Sequence, residues 1–94
     1  MKRYRTRPGV VLTTIAGQNV LVAAKTVRDQ CPYTAQINET AAFCWQVLEQ
    51  GADLDELVRR LSEEYEGADP EQMRADMEQL LAQLCESNYL IEEP

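Results

Sequence analysis

Residues 33–51 read Tyr33-Thr34-Ala35-Gln36-Ile37-Asn38-Glu39-Thr40-Ala41-Ala42-Phe43-Cys44-Trp45-Gln46-Val47-Leu48-Glu49-Gln50-Gly51, and their patterning changes partway along. Tyr33 to Ile37 alternate in the manner of a short strand. Asn38 then offers a side-chain oxygen at a helix start, and Ala41, Ala42, Trp45, Val47 and Leu48 form the wide apolar stripe of a helix that packs on one side. Gly51 ends that helix. The stretch therefore predicts a strand running directly into a helix.

Towards the N-terminus, Val10, Val11, Leu12, Thr13, Thr14 and Ile15 are almost all β-branched, Ala16-Gly17-Gln18 supplies a turn, and Asn19 to Ala24 resume the strand pattern. A hairpin follows. Towards the C-terminus, Asp53 with Glu56 makes a capping pair for a second helix, whose Leu54, Leu57, Val58, Leu61 and Tyr65 recur at three- and four-residue steps before Gly67. Asp69 and Pro70 open a third helix running to about Asn88, with Met73, Met77, Leu80, Leu81 and Leu84 on one face. Tyr89-Leu90-Ile91 is expected to fold back as a strand or cap. The predicted class is α+β: a three-stranded antiparallel sheet followed by a three-helix, winged-helix-like bundle. The whole of residues 1–94 is expected to form one domain, with residues 1–7 as a basic N-terminal arm.

Composition removes several functional classes. The chain has no histidine, and its three cysteines, Cys31, Cys44 and Cys85, are widely spaced without a C-x-x-C pair, so neither a zinc set nor a disulfide framework is expected. Ser62 and Ser87 are the only serines, and no nucleophile has a base at hand, which argues against an enzyme. Gly9, Gly17, Gly51 and Gly67 are isolated, so no phosphate cradle is expected and no cofactor is called for. A phosphopantetheine carrier would need Asp-Ser at a helix start, whereas Ser62 follows Leu61 within a helix. There is no signal-type or membrane-spanning apolar run, so a soluble, cytoplasmic protein without a membrane partner is expected.

The net charge of −7 hides an asymmetry. Residues 1–28 carry Lys2, Arg3, Arg5, Arg7, Lys25 and Arg28 and no acid; residues 29–94 carry all sixteen acids against three arginines. The basic segment at residues 2–7 is either a solvated terminus or a patch that steers an acidic partner. A winged-helix DNA-binding regulator is the alternative reading of three helices and strands. Its third helix would enter the major groove, yet residues 70–88 set Arg74 against Glu71, Asp76, Glu78 and Glu86. That balance opposes phosphate binding, so no nucleic-acid partner is expected.

The run Ile37-Asn38-Glu39-Thr40-Ala41-Ala42, followed by Trp45, Leu48 and Gly51, resembles the start of the helical half of PqqD-like proteins, the RiPP recognition elements. The resemblance continues through Leu57, Leu61 and Tyr65, then through Asp76-Met77-Glu78-Gln79-Leu80-Leu81, Leu84 and Leu90-Ile91. It covers roughly residues 8 to 91. The family's pattern has a glycine before the last apolar pair where this chain has Asn88-Tyr89, and Cys31-Pro32 is a further departure.

The resemblance implies a peptide chaperone without chemistry of its own. A ribosomally made precursor peptide would add its leader as a strand beside the third strand, pairing with the backbone of Tyr33, Thr34, Ala35, Gln36 and Ile37, and would lie against the third helix. It would then be presented to a modifying enzyme, such as a radical-SAM maturase or a leader peptidase, in natural-product or PQQ-type cofactor biosynthesis. On the third helix, Met73, Met77, Leu80, Leu81 and Leu84 are expected to be largely core, with one edge of the stripe reaching the groove, and Arg74 is placed to meet a leader carboxylate. Trp45 is expected to pack between helices. The exposed strand edge also allows two copies to pair as a homodimer.

Overall fold

The computed structural model describes residues 2–29 and 34–93. The hairpin lies where the β-branched runs put it and is preceded by another strand: β1 is Arg3–Thr6, β2 Val10–Ile15 and β3 Gln18–Ala23. Ala16 and Gly17 connect β2 to β3 with φ of 52° and 79°. Two successive positive φ values make the two-residue turn whose twist matches the flanking strands. β4 (Ala35–Ile37) pairs antiparallel with β3, and the sheet order is β2-β3-β4. The expected third strand is therefore present from Ala35; Tyr33 lies outside the described residues.

Three helices follow: α1 (Glu39–Leu48), α2 (Leu54–Glu64) and α3 (Pro70–Glu86). Each starts at the cap read from the sequence. Asn38 Oδ1 accepts from Ala41 N at 2.8 Å, Asp53 Oδ1 from Glu56 N at 2.8 Å, and Asp69 Oδ1 from Glu71 N at 3.1 Å. α3 stops two residues earlier than its apolar period suggests, because Asn88 turns into the left-handed region at φ 66°. Asparagine tolerates that conformation better than most residues. The departure from glycine near this point thus keeps the backbone turn.

A second sheet accounts for the remaining strands. β5 (Ala52–Asp53), β1 and β6 (Leu90–Glu93) assemble in the order β5-β1-β6, all antiparallel. Over Arg3–Thr6 the expected basic arm is instead the central strand of this sheet. Its charges are used to close the fold: Lys2 lies 3.7 Å from Glu92, Arg5 3.2 Å from Glu93, and Arg3 3.8 Å from Glu56 of α2. The basic front and acidic back of the sequence meet here, across the strands at Lys2–Glu92 and Arg5–Glu93 and from strand to helix at Arg3–Glu56. Arg3 also donates to Gly51 O at 3.1 Å, and Arg7 Nε to Asn88 O at 2.6 Å.

One cluster of buried residues connects the two sheets and the helices. It joins Val10, Leu21 and Ala23 of the hairpin to Trp45, Leu48, Leu57, Leu61, Met77, Leu81 and Leu90. Trp45 is 1 % exposed and sits in this cluster, as expected of an interhelical aromatic. No described helix is long and apolar enough to cross a membrane.

Candidate functional site

β4 places its residues by alternation. Ala35 and Ile37 turn towards the core cluster, while Gln36 is exposed on the opposite face. The pairing with β3 (Leu21 with Ala35, Val20 with Gln36, Asn19 with Ile37) occupies one edge of the strand. Among the described residues no strand pairs with the other edge. Such an edge keeps backbone donors and acceptors available to a further chain.

The polypeptide passes from this edge straight into the first turn of α1, which faces α3 across a cleft of about 360 Å³. Asn38, Thr40 and Ala41 form one wall; Asp76, Met77, Gln79, Leu80 and Gln83 form the other. A second cleft of about 320 Å³ shares Thr40, Asp76 and Met77 and continues to Leu61, Tyr65, Ala68, Asp69, Gln72 and Met73. Tyr65 stands against Phe43, with ring centroids 6.2 Å apart at 84°. A third hollow, bounded by Gly17, Gln18, Asn19, Gln36, Ile37, Asn38 and Glu39, flanks the same C-terminal end of β4 and shares Asn38 with the first cleft. The first and second clefts meet at Thr40, Asp76 and Met77, and the first and third share Asn38, the residue that follows β4.

The expected contact residues divide between this surface and the core. Leu80, half-buried, and Met77, 5 % exposed, line the first cleft. Met73 lines the second. Leu81 and Leu84 are buried at 3 % and 6 % exposure and line none of the three hollows, so they hold α3 in place. Arg74 is engaged by Asp55 of α2 and does not line the clefts. The reason is rotational: on a 100° repeat, position 74 faces away from positions 76, 80 and 83. Thr34 is exposed immediately before β4.

Sequence reasoning that followed only the apolar stripe missed the polar wall. Asp76, Gln79 and Gln83 share one face with Leu80 at three- and four-residue spacing, which is the signal that could have found them. The lining has a definite electrostatic character. It contains Asp76, Asp69 and Glu39 and no lysine or arginine.

The two described thiols, Cys44 and Cys85, are placed for packing. Cys44 Sγ lies 3.3 Å from Met77 Sδ behind the cleft, and burial pushes its pKa up to about 12. Burial also raises Cys85, helped by the nearby negative charge of Glu92. Both remain protonated near neutral pH, which leaves them poor nucleophiles. Among the described residues no group of three or more Cys, Asp or Glu is arranged to hold a metal.

This sequence matches the family profile described as "Coenzyme PQQ synthesis protein D (PqqD)" over residues 20–90. Two solved structures share its fold. One, described as TbiB1 in complex with the TbiA(beta) leader peptide, has a TM-score of 0.72 and 22 % identity, covering 92 % of this chain and 93 % of that one. The other, a lasso peptide synthetase B1 complexed with the leader peptide, has a TM-score of 0.69 and 25 % identity, covering 97 % and 98 %. No curated protein sequence matches the chain.

Proposed function

The chain belongs to the PqqD family, and from that premise we propose that it is a leader-peptide-binding adaptor in the biosynthesis of a ribosomally made, modified peptide. Its partners are the leader segment of a precursor peptide and the enzyme that modifies or cleaves that precursor. Both structural neighbours were captured with leader peptides, and the adaptor itself performs no chemistry in this reading. Residues 1–94 act as one domain.

The observation that carries the reading is the β4 edge, which no described strand pairs, leading directly into the cleft between α1 and α3. A leader adds to β4 as an antiparallel strand, with the backbone of Thr34 to Ile37 supplying affinity. Alternate leader side chains then face the cleft, where Met77 and Leu80 offer an apolar floor and Asn38, Thr40, Gln79 and Gln83 offer polar rims. Met73 extends the floor into the second cleft. Leu81 and Leu84 position α3 from within the core.

The DNA-binding alternative finds no basic face on α3. Glu71, Asp76 and Glu78 are exposed along α3, and its one arginine is taken by Asp55.

Calorimetric titration with synthetic leaders from short open reading frames beside the gene tests the adaptor reading. Saturable one-to-one binding of one leader supports it; a folded protein that binds none of them contradicts it.

A further inference from the structure

The polarity of the site narrows the kind of peptide it takes. Five of the seven arginines are already engaged, and the other two, Arg28 and Arg60, line none of the three hollows. Arg3, Arg5 and Arg74 pair with Glu56, Glu93 and Asp55, Arg59 pairs with Glu63, and Arg7 is bound to the carbonyl of Asn88. No lysine or arginine lines any of the three hollows.

Asp76 occupies the opposite situation. It borders both clefts at the point where they meet over Met77 and Thr40, and it is exposed. Gln72 Nε2 donates to its Oδ1 at 2.9 Å, which fixes the carboxylate without neutralising it. Among the described residues no cation pairs with it. The other acids of the lining differ: Asp69 is spent on capping α3, and Glu39 stands in the first turn of α1. The N-terminus of α1 would by itself attract an anion. Asn38 and Glu39 already offset that end through the cap and first-turn charge.

Resting on the leader-binding reading above, we infer that the site selects a leader bearing a lysine or arginine, and that Asp76 is the residue that reads it. The aliphatic stem of that side chain lies over Met77 while its charged head reaches Asp76. An acidic side chain at the same leader position is rejected by Asp76 and by the chain's net charge.

Panning a displayed library of random 16-residue peptides against the intact protein and against Asp76→Asn and Asp76→Lys tests this. The leading wild-type binder and its Lys→Glu or Arg→Glu counterpart are then titrated by calorimetry against wild type and Asp76→Lys. Wild type is expected to enrich lysine or arginine at a fixed distance from an apolar anchor, and to prefer the cationic peptide about fivefold, the scale of a partly exposed ion pair. Asp76→Lys reverses the preference, and added salt weakens it in both. Binders that protect β4 from hydrogen exchange but show the same charge preference with wild type and Asp76→Lys would overturn the role of Asp76 and leave strand addition standing. Absence of any wild-type binder, or binding that leaves β4 unprotected, would overturn both.

Discussion

Arg5 Nε lies 3.2 Å from Glu93 Oε1, tying the first strand to the last. Its backbone neighbours extend the tie: Arg5 pairs with Ile91 and Thr6 with Leu90, while on the other edge Tyr4 pairs with Ala52. β1 is thus the central strand of its sheet, and the sheet depends on it more than on any single charge pair. Deleting residues 1–7 is expected to abolish cooperative unfolding in urea, whereas Arg5→Ala, which removes an exposed pair, should cost no more than about 1 kcal/mol. A truncated protein of unchanged stability would contradict the placement of β1.

Leu80 and Leu81 are adjacent in sequence and opposite in role. Leu81→Glu places a carboxylate in the core and should eliminate the folded circular-dichroism signal. Leu80→Glu, at a half-buried position on the cleft, should leave the fold intact and weaken leader binding at least tenfold, read by calorimetry. Equal effects of the two would remove Leu80 from the site.

The turn offers a stabilising change. Ala16 holds a φ of 52°, a region that costs an alanine roughly 1 kcal/mol relative to residues that favour it. Ala16→Asn creates Asn-Gly, the preferred pair for this turn, and should raise stability by about 0.5–1 kcal/mol, seen as a higher Tm. A fall would mean that the turn is of another type.

Cys44 predicts a pH dependence. Its thiol, 0 % exposed, stays protonated to about pH 12 in the fold, while in the unfolded chain it ionises near pH 9. Between those values the unfolded state has released a proton that the folded state retains, so stability is full below about pH 9 and declines as pH rises towards 12. The loss is on the order of 4 kcal/mol at most. Urea titrations across this window should show a shallower decline for Cys44→Ala than for wild type; parallel declines would place the cause elsewhere.

The hairpin and the helices were legible because their residues carry strong local signals: β-branched runs in Val10–Ile15, and side-chain caps at Asn38, Asp53 and Asp69. β1 was not. Arg3-Tyr4-Arg5-Thr6 is four residues long with Tyr4 alone packed on the core, and its partners, residues 52–53 and 90–93, lie far away in sequence, so that information is non-local. The two-residue β5 is too short to carry a period. At the site, the apolar half of the cleft could be read from Met77 and Leu80. Its polar half could not, because Asp76, Gln79 and Gln83 have the character of any solvated helix face until α1 is placed opposite them. The partner of Arg74 was hidden for the same reason: Asp55 belongs to another helix, 19 residues away.

Successive N–H groups of a strand point to opposite edges, so of Ala35 and Gln36 one donates towards β3 and the other outwards. Ala35→Pro and Gln36→Pro should therefore separate: one lowers stability, and the other leaves stability nearly unchanged while abolishing leader binding. Equal effects on both properties would count against strand addition.

The most direct test of the central claim is residue-resolved amide hydrogen exchange of the protein, with and without a saturating leader peptide. Strand addition predicts that alternate amides within Thr34 to Ile37 slow at least tenfold on binding, with little change along the outer edge of β2. A leader that binds tightly yet leaves the exchange of residues 34–37 unchanged would contradict it.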